Sequence, residues 1–225
     1  MLVGGAPADK AARLVDAGEA IVLEGPPARF VGRGGDKLDA ALDGFGIDVA
    51  GLRCLDAGAS TGGFTDCLLQ RGAAAVVAVD VGHGQLHPRI RDDRRVEVRE
   101  RVNIRDVDAA QVGGPFPLVV ADLSFISLRT VAPGLVGLVQ PGGDLVVLVK
   151  PQFEVGRAEA SRGRGVVRDP AKREEAVDGV VGALAAVGAA MMGRMVSPLT
   201  GADGNVEVFV HARRGARADA GRGGR

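Results

Sequence analysis

The chain has 225 residues and a formal net charge of zero, with 28 basic and 28 acidic side chains. Hydrophobic residues make up 46% and charged residues 25%, which excludes wholesale disorder, and the length suits one α/β domain with a small appendage. With balanced charge, a nucleic-acid partner must be held by a local basic patch. With 7 Phe, no Trp and no Tyr, single-strand binding on a long aromatic platform is disfavoured. Cys54 and Cys67 are too few for a disulfide framework or a zinc site and read as small core residues. The longest mainly apolar uncharged stretch, Gly179 to Gly193, is shorter than the ~20 residues that cross a bilayer. Met1 to Gly5 lacks the basic-then-apolar pattern of a signal peptide, so a soluble cytoplasmic protein is expected.

In chain order, residues 1–29 hold short apolar pieces such as Ala20-Ile21-Val22-Leu23 and a Pro26-Pro27 break. Residues 30–212 then alternate strand-length and helix-length segments. Lys37 follows Arg33-Gly34-Gly35-Asp36 at the start of a helix. Leu52 to Asp56 predicts a strand, Gly62 to Gln70 a helix stopped by Gly72, and Ala73 to Val79 a strand buried on both faces. Val96 to Val98 and Leu118 to Ala121 predict two more strands, and Leu128 to Val139 a helix containing Pro133. Pro141-Gly142-Gly143 reads as a turn before a fifth strand, Leu145 to Val149. Asp169-Pro170 is an N-cap with proline at the first helical position, opening a helix to about Val187. Val206 to His211 closes the domain as a strand with Glu207, Phe209 and His211 on one face. The tail, 213–225, has five Arg, four Gly and no large apolar residue, and is expected to be disordered. Alternating strands and helices predict a doubly wound α/β sheet with helices on both faces.

Asp56-Ala57-Gly58-Ala59-Ser60-Thr61-Gly62-Gly63-Phe64 lies where a strand gives way to a helix, and glycines there let a ligand approach the backbone beside free helix amides. The spacing is neither G-x-G-x-x-G nor a P-loop, which disfavours a pyrophosphate clamp and weakens the alternative of an NAD-dependent oxidoreductase. Asp80 ends the next strand at the distance where a carboxylate takes ribose hydroxyls. Loop and carboxylate together resemble the S-adenosylmethionine site of class I (Rossmann-like) methyltransferases. His83 and His87, just beyond, are expected to line the rim of that site.

Lys150 closes an apolar strand, Asp122 ends the strand before it, Glu207 interrupts the last strand, and Lys37 opens a helix. The sheet can bring all four to its carboxyl edge, where open α/β folds bind ligands. In that order they resemble the Lys-Asp-Lys-Glu tetrad of FtsJ-type ribose 2′-O-methyltransferases. The stretches Cys54 to Thr65, Ala121 to Ser127 and Val149 to Glu154 are similar to those of the TlyA/hemolysin A group within that family, over roughly residues 31–212.

The resemblance implies methylation of cytidine riboses in ribosomal RNA, with ribosomal RNA or ribosomal subunits as partners and neither DNA nor membrane. It implies S-adenosylmethionine held by Asp56, Gly58, Ser60, Thr61, Gly62, Gly63, Phe64, Asp80, Asn103 and Asp122. It makes Lys150 the base, oriented by Asp122, with Lys37 and Glu207 around the 2′-hydroxyl. A lysine beside another cation loses part of its preference for the charged form, which suits this role. Residues 1–29 resemble only the C-terminal, strand-rich part of the S4 RNA-binding module that the family carries. RNA contacts are expected from Arg162, Arg164 and Arg168 after the fifth strand. Arg89, Arg91, Arg94 and Arg95 are diluted by Asp92 and Asp93 and read as a solvated mixed-charge face. The competing reading from another class is a non-catalytic ribosome-binding or hemolysin-like protein; no basic amphipathic helix of useful length supports a membrane role.

Overall fold

The computed structural model describes residues 1–8, 13–22, 28–156, 163 and 165–216. Three two-residue strands come first: β1 (Leu2–Val3) pairs antiparallel with both β2 (Ala6–Pro7) and β3 (Ile21–Val22). The remainder runs α1 (Arg33–Phe45), β4 (Arg53–Ala57), α2 (Gly63–Gln70), β5 (Ala75–Asp80), α3 (Pro88–Arg91), β6 (Val96–Glu100) and β7 (Phe116–Ala121). It continues through α4 (Leu128–Leu138), β8 (Val139–Val149), α5 (Pro151–Glu154), α6 (Pro170–Ala186), β9 (Ala189–Val196) and β10 (Val208–Arg214). Among the described residues the main sheet has seven strands, in the order β6-β5-β4-β7-β8-β10-β9. The first five are parallel, and β10 returns antiparallel between β8 and β9.

The predicted apolar runs are the central strands, and both of their faces are covered. On one face Leu55, Val77, Val119 and Val147 pack under α4 and α6 through Leu135 and Val180. On the other, Cys54, Val76, Val120 and Leu148 pack under α1 and α2 through Leu38, Leu42 and Leu68. Burial pushes the thiols of Cys54 and Cys67 up to about 12, in keeping with their reading as core residues. As the alternation predicts, Glu207, Phe209 and His211 all face α1: Glu207 bonds Lys37, Phe209 joins the core beneath it, and the His211 ring lies 5.3 Å from that of Phe45.

Two expectations need correction, and one strand was not foreseen. The turn at 141–143 lies inside a strand: β8 starts at Val139, and the register jumps so that Phe116 faces Val139 while Leu118 faces Asp144. The helix opened by Asp169-Pro170 ends at Ala186, as expected, but the edge strand β9 that begins at Ala189 was not foreseen. Arg213 and Arg214 of the predicted disordered tail belong to β10. Arg213 pairs with Asp144 at 2.9 Å, and Arg214 donates to the Val139 carbonyl at 2.5 Å, near the end of α4. Residues 217–225 lie outside the described residues.

The first turn of α1 is glycine-rich because it lies against other backbone. A Cβ at Gly35 would stand 2.3 Å from the Phe30 ring, and one at Gly63 would stand 3.0 Å from the Gly35 nitrogen. This contact seats α1, and with it Lys37, beside the start of α2. Gly35→Ala should therefore destabilise the fold by about 1–3 kcal/mol, despite alanine's better helix propensity, as read by urea unfolding.

Candidate active site

The turn from β4 into α2 walls a cavity of about 520 Å³, an ordinary size for a small-ligand site, lined by Gly58, Ser60, Asp80, Asn103, Asp122 and Phe125 among others. Gly58 has φ 86°, and a Cβ there would stand 2.5 Å from the Asp122 carbonyl oxygen. Only glycine lets the loops after β4 and β7 meet this closely. Asp80 accepts the Ser60 N–H at 2.8 Å through Oδ2 and the Gly82 N–H at 2.6 Å through Oδ1. It fixes both flanking turns while each oxygen retains a further lone pair. Thr61, Gly63 and Phe64 line a smaller adjoining space of about 110 Å³ together with Gly58 and Asp122.

Asp56 and Gly62 lie behind this wall rather than on it. Gly62 backs onto Leu86 and Ile90. Asp56 is fully buried: its Oδ2 accepts the Thr65 hydroxyl at 2.7 Å, and its Oδ1 has no hydrogen-bond partner among the described residues. Burial pushes its carboxyl up to about 7, against the pull of the Thr65 hydrogen bond and with the help of the nearby Asp122 charge. His83 and His87 also miss the cavity. His83 Nδ1 meets Glu100 at 2.7 Å, and His87 caps α3 by accepting the Arg89 N–H at 3.2 Å.

At the carboxyl edge of the parallel strands two ion pairs are found among the described residues, one of them through Asp122 of the cavity lining. Lys150 Nζ lies 2.5 Å from Asp122 Oδ1 and donates to Ser124 Oγ at 3.0 Å. Lys37 Nζ donates to Glu207 Oε2 at 2.5 Å with both side chains buried. Val208 pairs with Val149 across β10 and β8, so Glu207 falls at the step opposite Lys150. The four residues named from sequence thus belong to one edge, and Asp122 serves both the cavity and a lysine.

Phe125 was missed. It is 91% exposed, adopts φ 64° and packs its ring 5.2 Å from that of Phe153. A bulky residue with positive φ and an exposed ring is strained and marks a place where function is to be sought. Its signal in the sequence was slight: an aromatic three residues after Asp122 in a chain with few. Of the predicted RNA contacts, Arg168 is exposed, while Arg162 and Arg164 lie outside the described residues. Arg89, Arg91 and Arg95 are engaged by Asp66, Glu100 and Asp93, in accord with a mixed-charge face.

A family model described as FtsJ-like methyltransferase matches residues 30–214. The chain belongs to the FtsJ-like methyltransferase family. It is 51% identical over 212 residues to the 16S/23S rRNA (cytidine-2′-O)-methyltransferase TlyA of Mycobacterium tuberculosis, covering 94% of this chain and 79% of that protein. A solved structure of a hemolysin-named protein from Streptococcus thermophilus is 39% identical with a TM-score of 0.83, covering 94% of this chain and 76% of the other. An S-adenosylmethionine-dependent methyltransferase from Mesorhizobium loti, 16% identical with a TM-score of 0.55 over 78% of this chain and 96% of its own, shows the shared fold alone. Among the described residues of this family member, no helix is long and apolar enough to cross a membrane.

Asp56 also has a consequence for stability. Its folded value, about 7, lies above the ordinary 3.8, so the folded state holds a proton that the unfolded state releases. Stability is therefore lost as pH rises from about 4 to about 7, by at most ~1.4 kcal/mol per pH unit. Asp56→Asn keeps an acceptor for Thr65 without the titration. Thermal melts at pH 5 and 7.5 should show a smaller fall in Tm for Asp56→Asn than for the wild type.

Proposed function

We propose that this chain transfers the methyl group of S-adenosylmethionine to the 2′-hydroxyl of cytidine in ribosomal RNA. The observation that carries the reading is the convergence of Lys150–Asp122 and Lys37–Glu207 beside the cavity under the glycine loop. Similarity to the TlyA enzyme supports the same substrate class. The cavity fits the cofactor. Gly58 leaves space a side chain would fill, Asp80 keeps lone pairs for ribose hydroxyls, and Ser60 and Asn103 add polar groups to the lining. Thr61, Gly63 and Phe64 extend the wall, and Asp122 offers a carboxylate toward a cationic ligand.

When bound, S-adenosylmethionine supplies an electrophilic methyl group and departs as a neutral thioether. The protein's part is to place the acceptor hydroxyl and take up its proton. Lys150 acts as the base once it has given up its own proton to solvent: the free amine takes the hydroxyl proton, and Asp122, already in contact with Nζ, stabilises the ammonium that is re-formed. Lys37, held by Glu207, fixes the hydroxyl's orientation from the α1 side. Phe125 offers an exposed ring on which a nucleobase turned out of its helix can stack. Arg168, with Arg162 and Arg164, contacts phosphates, and residues 1–29 act as a remnant of an RNA-binding module. Such a substrate implies work in the cytoplasm.

Two substitutions divide the chemistry from the binding. Lys150→Ala should lower methyl transfer to ribosomal RNA by roughly 10²–10⁴-fold with cofactor affinity intact in calorimetry. Near-normal turnover would mean that the proton leaves by another route. Asp80→Ala removes the acceptor for Ser60 and for the ribose together, and should weaken cofactor binding by roughly 1.5–3 kcal/mol. An unchanged affinity in a folded Asp80→Ala protein would refute its role.

A further inference from the structure

The loops after β7 and β8 are joined at three successive levels. Lys150 meets Asp122 and Ser124, the Phe153 ring meets Phe125, and Glu154 reaches the first turn of α4. Glu154 Oε1 accepts the Leu128 N–H at 2.7 Å, and Oε2 accepts the Ser127 hydroxyl at 2.6 Å. Arg129 closes the contact: its Nε lies 3.4 Å from Oε2, and it donates at 2.6 Å to the Glu154 main-chain carbonyl. The Glu154 side chain is 1% exposed, a burial a carboxylate sustains only with a full set of donors. It lines neither cavity at the site.

The sequence spacing gives this contact its meaning. Glu154 is the last residue of the turn that Lys150 begins, and Ser127 to Arg129 end the loop that Asp122 begins. Were the far ends free, the two loops could slide while their near ends stayed attached to β7 and β8. Phe125, strained at φ 64°, lies between the ends and needs support from both.

We propose that Glu154 is a positioning residue which, by tying α4 to α5, holds Asp122 and Phe125 in register with Lys150. This rests on the roles assigned above to those three, and Glu154 acts on methyl transfer only through them.

The test compares wild type, Glu154→Ala and Glu154→Gln by turnover on ribosomal RNA, cofactor calorimetry, and amide exchange of the free protein. Gln retains an oxygen acceptor for α4 but no charge for Arg129. In Glu154→Ala, kcat should fall between about tenfold and a hundredfold while cofactor affinity falls by clearly less, since Asp122 and Phe125 are only two of the groups that line the cavity. Exchange should quicken at Leu128 while the β4 and β5 amides stay protected, and Glu154→Gln should recover part of both losses. Unchanged kcat and unchanged Leu128 exchange would overturn the proposal, as would a loss of cofactor affinity in step with turnover. If Glu154→Ala fails to fold, the same measurements on Glu154→Gln decide. If the wild type does not methylate ribose, the functional reading falls, and Leu128 exchange alone decides whether Glu154 ties the loops.

Discussion

A lysine and a glutamate 170 residues apart in sequence meet at 2.5 Å, with both side chains more than nine-tenths buried. Two charges taken out of water lose several kcal/mol of solvation each, and their attraction offsets this only when the geometry is held from all sides. Much of the architecture supplies that hold. Glycines in the first turn of α1 let it lie against the start of α2, which sets the height of Lys37. The return of β10 between β8 and β9 brings Glu207 to the carboxyl edge of strands running the other way. An antiparallel strand in a mainly parallel sheet thus delivers a residue from its beginning to the edge where its neighbours end.

That logic explains what could be read from the sequence. A parallel strand buried on both faces is apolar until it leaves the sheet, so its first charge marks the functional edge. Asp80, Asp122 and Lys150 were legible for this reason. The start of α1 was less so, because two glycines in a first turn contradict helix propensity and are explained only by Phe30 and Gly63, which lie elsewhere in the sequence. The edge strand β9 was hidden because Ala-Ala-Met-Met-Gly has no alternation and follows an alanine-rich helix without a change of composition. That Asp56 and Gly62 lie behind the cavity wall could not be read from the motif, which gives the order of residues and not which of them face the cavity.

Asp56 differs from the other carboxylates in its surroundings. Asp80 is bound by two main-chain N–H groups and Asp122 by an ammonium, so each has a partner for its charge. Asp56 meets only Thr65 through one oxygen and, among the described residues, nothing through the other, and full burial raises it to about 7. The three carboxyl groups around the loop are thus set apart by the donors each one finds.

Asp122 links the two halves of the site. Its carbonyl oxygen lies where a side chain on Gly58 would stand, its residue lines the cavity, and its carboxylate contacts Lys150. On one side, β4, β5 and the glycine loop form a frame in which main-chain groups do most of the holding. On the other, α1, β8 and β10 present charged side chains whose placement depends on contacts distant in sequence. A residue shared by both halves ties the cavity to Lys150 with the stiffness of the β4–β7 pairing, not with a flexible side chain. The loop beyond Asp122 lacks that stiffness from the sheet. Its far end is held by side chains alone, which is why a buried carboxylate at Glu154, well away from the reacting groups, bears on the geometry of the site.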